Sequence, residues 1–204
     1  MKVVAVSQRV DVFADRQERR DALDQDIINF LLASGFIAIP VPNILKTAQN
    51  SGVPGCYLGA FMDKIMPSAL LISGGNNIGE IPERDETEFW MLEYAEQKKL
   101  PMLGICRGMQ IMALRAGASL APITGHRRTR HKINGEICRS VNSYHNIALS
   151  TCPKNFKVIS KSEDNSIEAI RHNNLPWEGW MWHPEREENF LISDVERIKS
   201  LFGS

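Results

Sequence analysis

The chain has 204 residues, and 24 Lys and Arg balance 24 Asp and Glu. That length suits a single domain, 1–204, with a core of useful size. Zero net charge speaks against a general nucleic-acid or membrane-surface binder and leaves local patches open.

Residues 2–7 are a short apolar run and read as a buried strand. The run is too short for a signal core or a membrane span, and no later stretch reaches spanning length, so a cytoplasmic location is expected. A charged stretch over 16–26 merges into Ile27, Ile28, Leu31 and Leu32 at helical spacing, and Gly35 stands where a helix would stop. Residues 36–41 read as a second strand, closed by Pro42. Residues 54–66 predict a helix, and 69–73 a third strand ending in Gly74-Gly75. The segment 83–99 opens with acids and closes with Lys98-Lys99, as a helix dipole favours. Residues 101–105 are a fourth strand, and Cys106 opens the next helix. Beyond Lys132 short β-like pieces at 147–150, 156–160, 167–171 and 179–182 fit antiparallel additions at one side of the sheet. Residues 188–202 close the chain as a helix. The alternation predicts an α/β fold, a doubly wound mostly parallel sheet flanked by helices, with additional antiparallel strands.

Four cysteines, Cys56, Cys106, Cys138 and Cys152, show no C-x-x-C spacing and are expected as free thiols. Cys106 is different in its setting. Gly104-Ile105-Cys106-Arg107-Gly108 has the G-x-C-x-G form of a nucleophile elbow, where a tight strand-to-helix turn demands small residues two before and two after. The turn lifts the sulfur to the carboxyl edge of the sheet, and the helix N-terminus behind it favours a thiolate. His183 follows Trp180-Met181-Trp182 and is expected at a strand end on the same edge. Its imidazole suits a base that takes the thiol proton and returns it to a leaving group. Glu185, two residues on, suits the role of fixing the ring. Nucleophile, base and acid together point to acyl transfer at an amide. The backbone N–H of Arg107 is a natural oxyanion donor, and Gly74-Gly75 offers a second or is only a turn. The run from Gly125 to Lys132 is the one dense basic cluster, and it is expected in a loop after the elbow helix. Arg127, Arg128 and Arg130 suit a phosphate; a solvated charged loop is the competing reading. Arg9 and Arg19-Arg20 stand in the same position. The triad needs no metal, and no cofactor is expected.

Gly104-Ile105-Cys106-Arg107-Gly108-Met109-Gln110, Val141-Asn142-Ser143-Tyr144-His145 and Trp182-His183-Pro184-Glu185 resemble the class I glutamine amidotransferase family. Ser7-Gln8-Arg9-Val10, Arg19-Arg20-Asp21-Ala22-Leu23-Asp24, Ser73-Gly74-Gly75-Asn76-Asn77 and Arg84-Asp85 are similar to its branch of stand-alone γ-glutamyl hydrolases. The resemblance runs over nearly the whole chain. It implies a Cys–His–Glu triad of Cys106, His183 and Glu185, attack on a γ-glutamyl amide of a small-molecule substrate, and a γ-glutamyl thioester. It implies an oxyanion hole from Gly75 and Arg107. It also implies that Gln110, Ser143, Tyr144 and His145 help hold the glutamyl group. Branch members acting on γ-glutamyl polyamines carry a second histidine where Asn146 stands here, which counts against a polyamine leaving group. Three other readings stay open: hydrolysis of a γ-glutamyl amine such as a polyamine catabolite, an ammonia-donating subunit whose synthetase partner is not visible in this sequence, and a binding module on the same fold.

Overall fold

A computed structural model of the chain describes residues 1–47 and 57–203. The first strand, β1 (Lys2–Ser7), is followed by a hairpin of β2 (Arg9–Phe13) and β3 (Glu18–Ala22). Helix α1 (Gln25–Ala33) starts where the Asp24 carboxylate accepts from the Asp26 N–H at 3.1 Å, and it buries Ile27, Phe30 and Leu31. Strand β4 (Phe36–Val41) and the short α2 (Ile44–Thr47) come next. Helix α3 (Leu58–Ile65) accounts for most of the helix expected over 54–66; residues 54–56, with Cys56, lie outside the described residues. Strand β5 (Ala69–Ile72) leads to α4 (Pro82–Lys98), which has Pro82 in its first turn and ends at Lys99 in a left-handed conformation. Strand β6 (Met102–Ile105) runs into α5 (Arg107–Arg115).

The second half is rich in strands: β7 (Leu120–Pro122), β8 (Arg127–Gly135), β9 (Arg139–Tyr144), β10 (Ile147–Leu149), β11 (Phe156–Ser162), β12 (Ile167–His172) and β13 (Trp177–Trp180). Helix α6 (Ile192–Phe202) closes the chain and seats Phe202 edge-on against Phe36. One nine-stranded sheet runs in the order β4-β1-β5-β6-β13-β12-β11-β8-β9. The first five are parallel, and the last four alternate antiparallel from β12 onward. Every residue of β5, β6 and β13 is buried, as expected of central strands covered on both faces. None of the described helices is long and apolar enough to cross a membrane.

Several expected elements change place. The piece at 179–182 is a parallel strand beside β6 rather than an antiparallel addition. The piece at 147–150 leaves the main sheet and pairs with β7. The basic run is not a loop: Arg127 to Lys132 lies in β8, an exposed strand whose one buried residue is Ile133. The hairpin β2–β3 falls on the start of the charged stretch and on the residues before it; β3 is almost wholly polar, whereas β2 carries a short Val10/Val12 alternation that sequence reasoning passes over.

Candidate active site

The site forms where β6 and β13 end side by side. They are parallel, with Gly104 opposite Gly179 and Ile105 opposite Trp180. Cys106 follows β6 directly, and His183 comes three residues after β13, so both stand at the same carboxyl edge. Cys106 has φ 51 and ψ −103, a conformation that costs a residue with a side chain. The surroundings hold it there. Its N–H donates to Trp180 O at 2.7 Å, and α5 starts at the next residue. A Cβ on Gly108 would lie 2.1 Å from Ile72 O, and one on Gly104 would lie 2.5 Å from Met112 Sδ. The two glycines therefore let α5 sit directly against β5 and β6.

His183 is buried, and its Nδ1 lies 2.6 Å from Glu185 Oε1. Asn142 clamps the backbone on both sides: its Oδ1 accepts from the His183 N–H at 2.9 Å, and its Nδ2 donates to His183 O at 2.7 Å. Tyr144 meets the ring edge-on at 5.6 Å. Gly74 lies under the ring, where a Cβ would come within 2.7 Å of Cε1. Burial pushes the ring's pKa down, but the charges of Glu185 and Cys106, with hydrogen bonds donated by the ring to both, push it up by more, to about 10. The ring thus keeps its proton through the neutral range, ready for a leaving amine. We expect kcat/KM to hold into the alkaline range and fall as pH rises through about 10, when the imidazolium is lost. On the acid side it should fall as the coupled pair takes up a further proton. In Glu185→Gln the alkaline limb should move down. A pH–rate profile with an alkaline limb near the ordinary imidazole value of about 6.5 in the wild type would contradict this ordering of effects.

Behind Cys106 lies a buried ionic cluster. Arg84 on α4 donates Nε to Glu88 Oε1 at 2.8 Å and Nη2 to Ser73 O at 2.9 Å and Gly74 O at 2.8 Å. Arg107, the residue after Cys106, pairs with Glu88 and Asp85. Ser7 Oγ donates to the shared Glu88 at 2.9 Å. Burial pushes both guanidiniums down, to about 9, so both are cations at neutral pH. Sequence reasoning names Arg84-Asp85 and Arg107 through motif likeness but misses the buried cluster they form with Glu88; the i,i+4 pair Arg84 and Glu88 would ordinarily be exposed. Gly75, with φ 124, follows the carbonyls that Arg84 holds. The Arg107 N–H opens α5, where a helix offers no internal acceptor.

The residues expected to hold the glutamyl group are divided. Gln110 Nε2 donates to Ile147 O at 2.9 Å, and Ser143 Oγ donates to His126 O at 2.6 Å. His145 is buried beside His126. Tyr144 is exposed, with the Arg186 guanidinium 4.6 Å above its ring. Arg127 and Arg128 are exposed and have no ion-pair partner among the described residues, whereas Arg130 pairs with Glu187 at 3.0 Å. Asn142 also donates to Glu187, which links Arg130 to the His183 backbone through two side chains. Arg19 and Arg20 are taken by Glu83 and Glu18. A cavity of about 230 Å³ opens beside Glu185, lined by Gly74, Gly75, Arg9, Asp24 and Arg186 among others. Cys106, Cys138 and Cys152 are free.

Comparison with known proteins agrees with this architecture. The family Glutamine amidotransferase class-I matches residues 45–189. The chain is 29% identical over 146 residues to the γ-glutamyl-CDP-amidate hydrolase of Campylobacter jejuni, covering 69% of this chain and 72% of that protein. It is 32% identical over 134 residues to a glutamine-hydrolyzing GMP synthase subunit of Methanothrix thermoacetophila, covering 61% of this chain and 70% of that one. A glutamine amidotransferase structure from Thermotoga maritima superposes with a TM-score of 0.63 at 15% identity, covering 99% of this chain and 83% of that one. With a match this long, on a sheet of this order, the chain belongs to the class I glutamine amidotransferase family.

Proposed function

We propose that the chain hydrolyses a γ-glutamyl amide through a thioester on Cys106, and that the leaving amine carries phosphate. The supporting observation is the His183–Glu185 pair at 2.6 Å on the edge where Cys106 ends β6. The sulfur attacks the γ-carbonyl carbon as a thiolate, with its proton already resting on His183. The charge on the carbonyl oxygen meets the Gly75 and Arg107 N–H groups. The carbon–nitrogen bond breaks as the imidazolium protonates the amine. Water, deprotonated by His183, then opens the thioester, so glutamate leaves and the thiol is restored. Glu185 holds the ring in the orientation both steps need. Tyr144 bounds the space over the ring.

For the leaving group, the best-fitting substrate is a γ-glutamyl amide of cytidine diphosphate, cleaved to glutamate and cytidine diphosphoramidate, as in capsule phosphoramidate synthesis. The relative named for that substrate and the free guanidiniums of Arg127 and Arg128 support it. A charge-assisted hydrogen bond is worth about 1.5–3 kcal/mol. Neutralising Arg127 or Arg128 should therefore lower kcat/KM on the nucleotide amide by roughly tenfold or more and barely affect a small γ-glutamyl amide, whereas Arg130 is held by Glu187, which Asn142 ties to the His183 backbone, so its neutralisation should lower both. Phosphorus NMR follows the first reaction and glutamate release the second. Equal losses on both from neutralising Arg127 or Arg128, or faster cleavage of γ-glutamyl polyamines by the wild type, would dismiss the nucleotide.

A second reading, an ammonia-donating subunit, is favoured by the GMP synthase relative. It predicts free glutaminase activity that a synthetase stimulates, with no turnover of the nucleotide amide. Inactivity on every γ-glutamyl compound would leave a binding module.

A further inference from the structure

We propose that His126, His131, His145 and Glu168 form a binding site for one divalent transition-metal ion of the zinc class, separate from the thiol chemistry. Neighbouring acceptors dictate where the ring hydrogens must be. His126 Nε2 lies 2.9 Å from Asp164 Oδ2, and a carboxylate accepts, so Nε2 carries the hydrogen. His145 Nδ1 lies 3.1 Å from Ile147 O, and a carbonyl accepts, so Nδ1 carries that hydrogen. In neutral rings the other two nitrogens are bare lone pairs. They face each other, His126 Nδ1 to His145 Nε2, at 3.3 Å. Glu168 Oε1 completes the triangle, 3.5 Å from the first and 3.6 Å from the second. Three electron-pair donors converge on one point, and something positive belongs there.

The distances say what kind. They are long for hydrogen bonds. They match the edge of about 3.4 Å that a tetrahedron has when its metal bonds are about 2.0–2.1 Å. Glu168 is fully buried, yet its Oε2 has no hydrogen-bond partner. His131 Nε2 lies 3.4 Å from that oxygen, and neither ring nitrogen of His131 has a hydrogen-bond partner. Ser166 Oγ reaches Glu168 Oε1 at 3.3 Å and leaves the carboxylate's other lone pairs facing the rings. The outer nitrogens of His126 and His145 already have the carboxylate and carbonyl partners that orient metal-bound imidazoles. Imidazole with a carboxylate suits zinc and its neighbours, whereas calcium and magnesium want oxygen ligands only.

The strand geometry gives the cluster a purpose. His126 and His131 are five apart, which on a plain strand would put them on opposite faces. The register slips by one residue between Arg127 and Thr129, at Arg128 with φ 56, and their rings lie 4.5 Å apart. An ion here would pin the start of β8 to the end of β9, and so fix Arg127 and Tyr144 beside His183.

The test uses the full chain, dialysed against buffered micromolar zinc, with metal counted by mass spectrometry. We expect one zinc per chain, retained in Cys106→Ser and lost in the double variant His126→Ala/His131→Ala. Cobalt in its place should give the visible spectrum of a tetrahedral nitrogen and oxygen site. If the double variant does not fold, Asp164→Ala decides, since that side chain is 48% exposed. It should weaken zinc binding by about 10–100-fold. Absence of stoichiometric zinc from the wild type, as when an imidazolium proton holds the cluster instead, overturns the proposal. So do full retention in the double variant, unchanged affinity in Asp164→Ala, and loss in Cys106→Ser.

Discussion

Cys106→Ala is expected to abolish turnover, with kcat falling by roughly 10⁴–10⁶-fold, while the fold survives. The two losses separate because the sulfur does little structural work. Cys106 holds its place through its backbone, which donates to Trp180 O and opens α5. Alanine keeps that backbone and fits the space between Gly104 and Gly108. His183→Ala should be nearly as severe, and the double variant scarcely worse than either, since the pair acts as a unit. Glu185→Gln should lose less, because it keeps a hydrogen-bonding shape against the ring. Mass spectrometry during wild-type turnover should trap a γ-glutamyl adduct on Cys106. Normal turnover in the alanine variant, with circular dichroism unchanged, would sink the mechanism.

Glu88→Ala is expected to be among the most destabilising single changes, at about 3–5 kcal/mol. Its carboxylate is fully buried and is shared by Arg84, Arg107 and Ser7. Without it, two buried guanidiniums face each other across an empty space. Arg107 keeps Asp85, and Arg84 keeps the carbonyls of Ser73 and Gly74, but their mutual repulsion is no longer offset. Urea denaturation reads the loss. The effect should reach catalysis as well, because Arg84 holds the turn before Gly75 and Arg107 follows the nucleophile. At a temperature where the variant is still folded, kcat should fall more than KM rises. A change of stability below about 1 kcal/mol would show that the cluster is more solvated than its burial implies.

What could be read from the sequence divides along a physical line. β1, β4, β5 and β6 were legible because they are apolar runs bounded by turn residues; β5 and β6, in the middle of the parallel part, are buried throughout, whereas β4 at the edge is partly exposed. The edge shared by Cys106 and His183 was legible because each follows such a run. β3 and β8 were not, since Arg19, Arg20 and Arg127 to Lys132 give no apolar alternation, and the Val10/Val12 alternation of β2 is too short to stand out beside them; β3 and β8 exist through their ladders. Nothing in the sequence marks Arg84 and Glu88 as buried; the packing of α4 against neighbouring elements, β5 and α5 among them, buries them. The histidine cluster depends on a one-residue slip at Arg128, which no periodicity announces.

The adjacency of β6 and β13 has a consequence for how such a protein diversifies. Cys106 closes the β6–β13 ladder, its N–H donating to Trp180 O, and His183 lies three residues past the end of β13. Between those two strands the chain makes a long excursion through α5 and the whole antiparallel wing, then returns. Insertions, deletions and charge changes in most of that excursion can remodel the surface a leaving group meets, but Asn142, on β9 of the same wing, clamps the His183 backbone and has to stay where it is. The fold thus divides inheritance in two: a reaction centre that includes one residue of the wing, and a remainder of the wing that is free to drift.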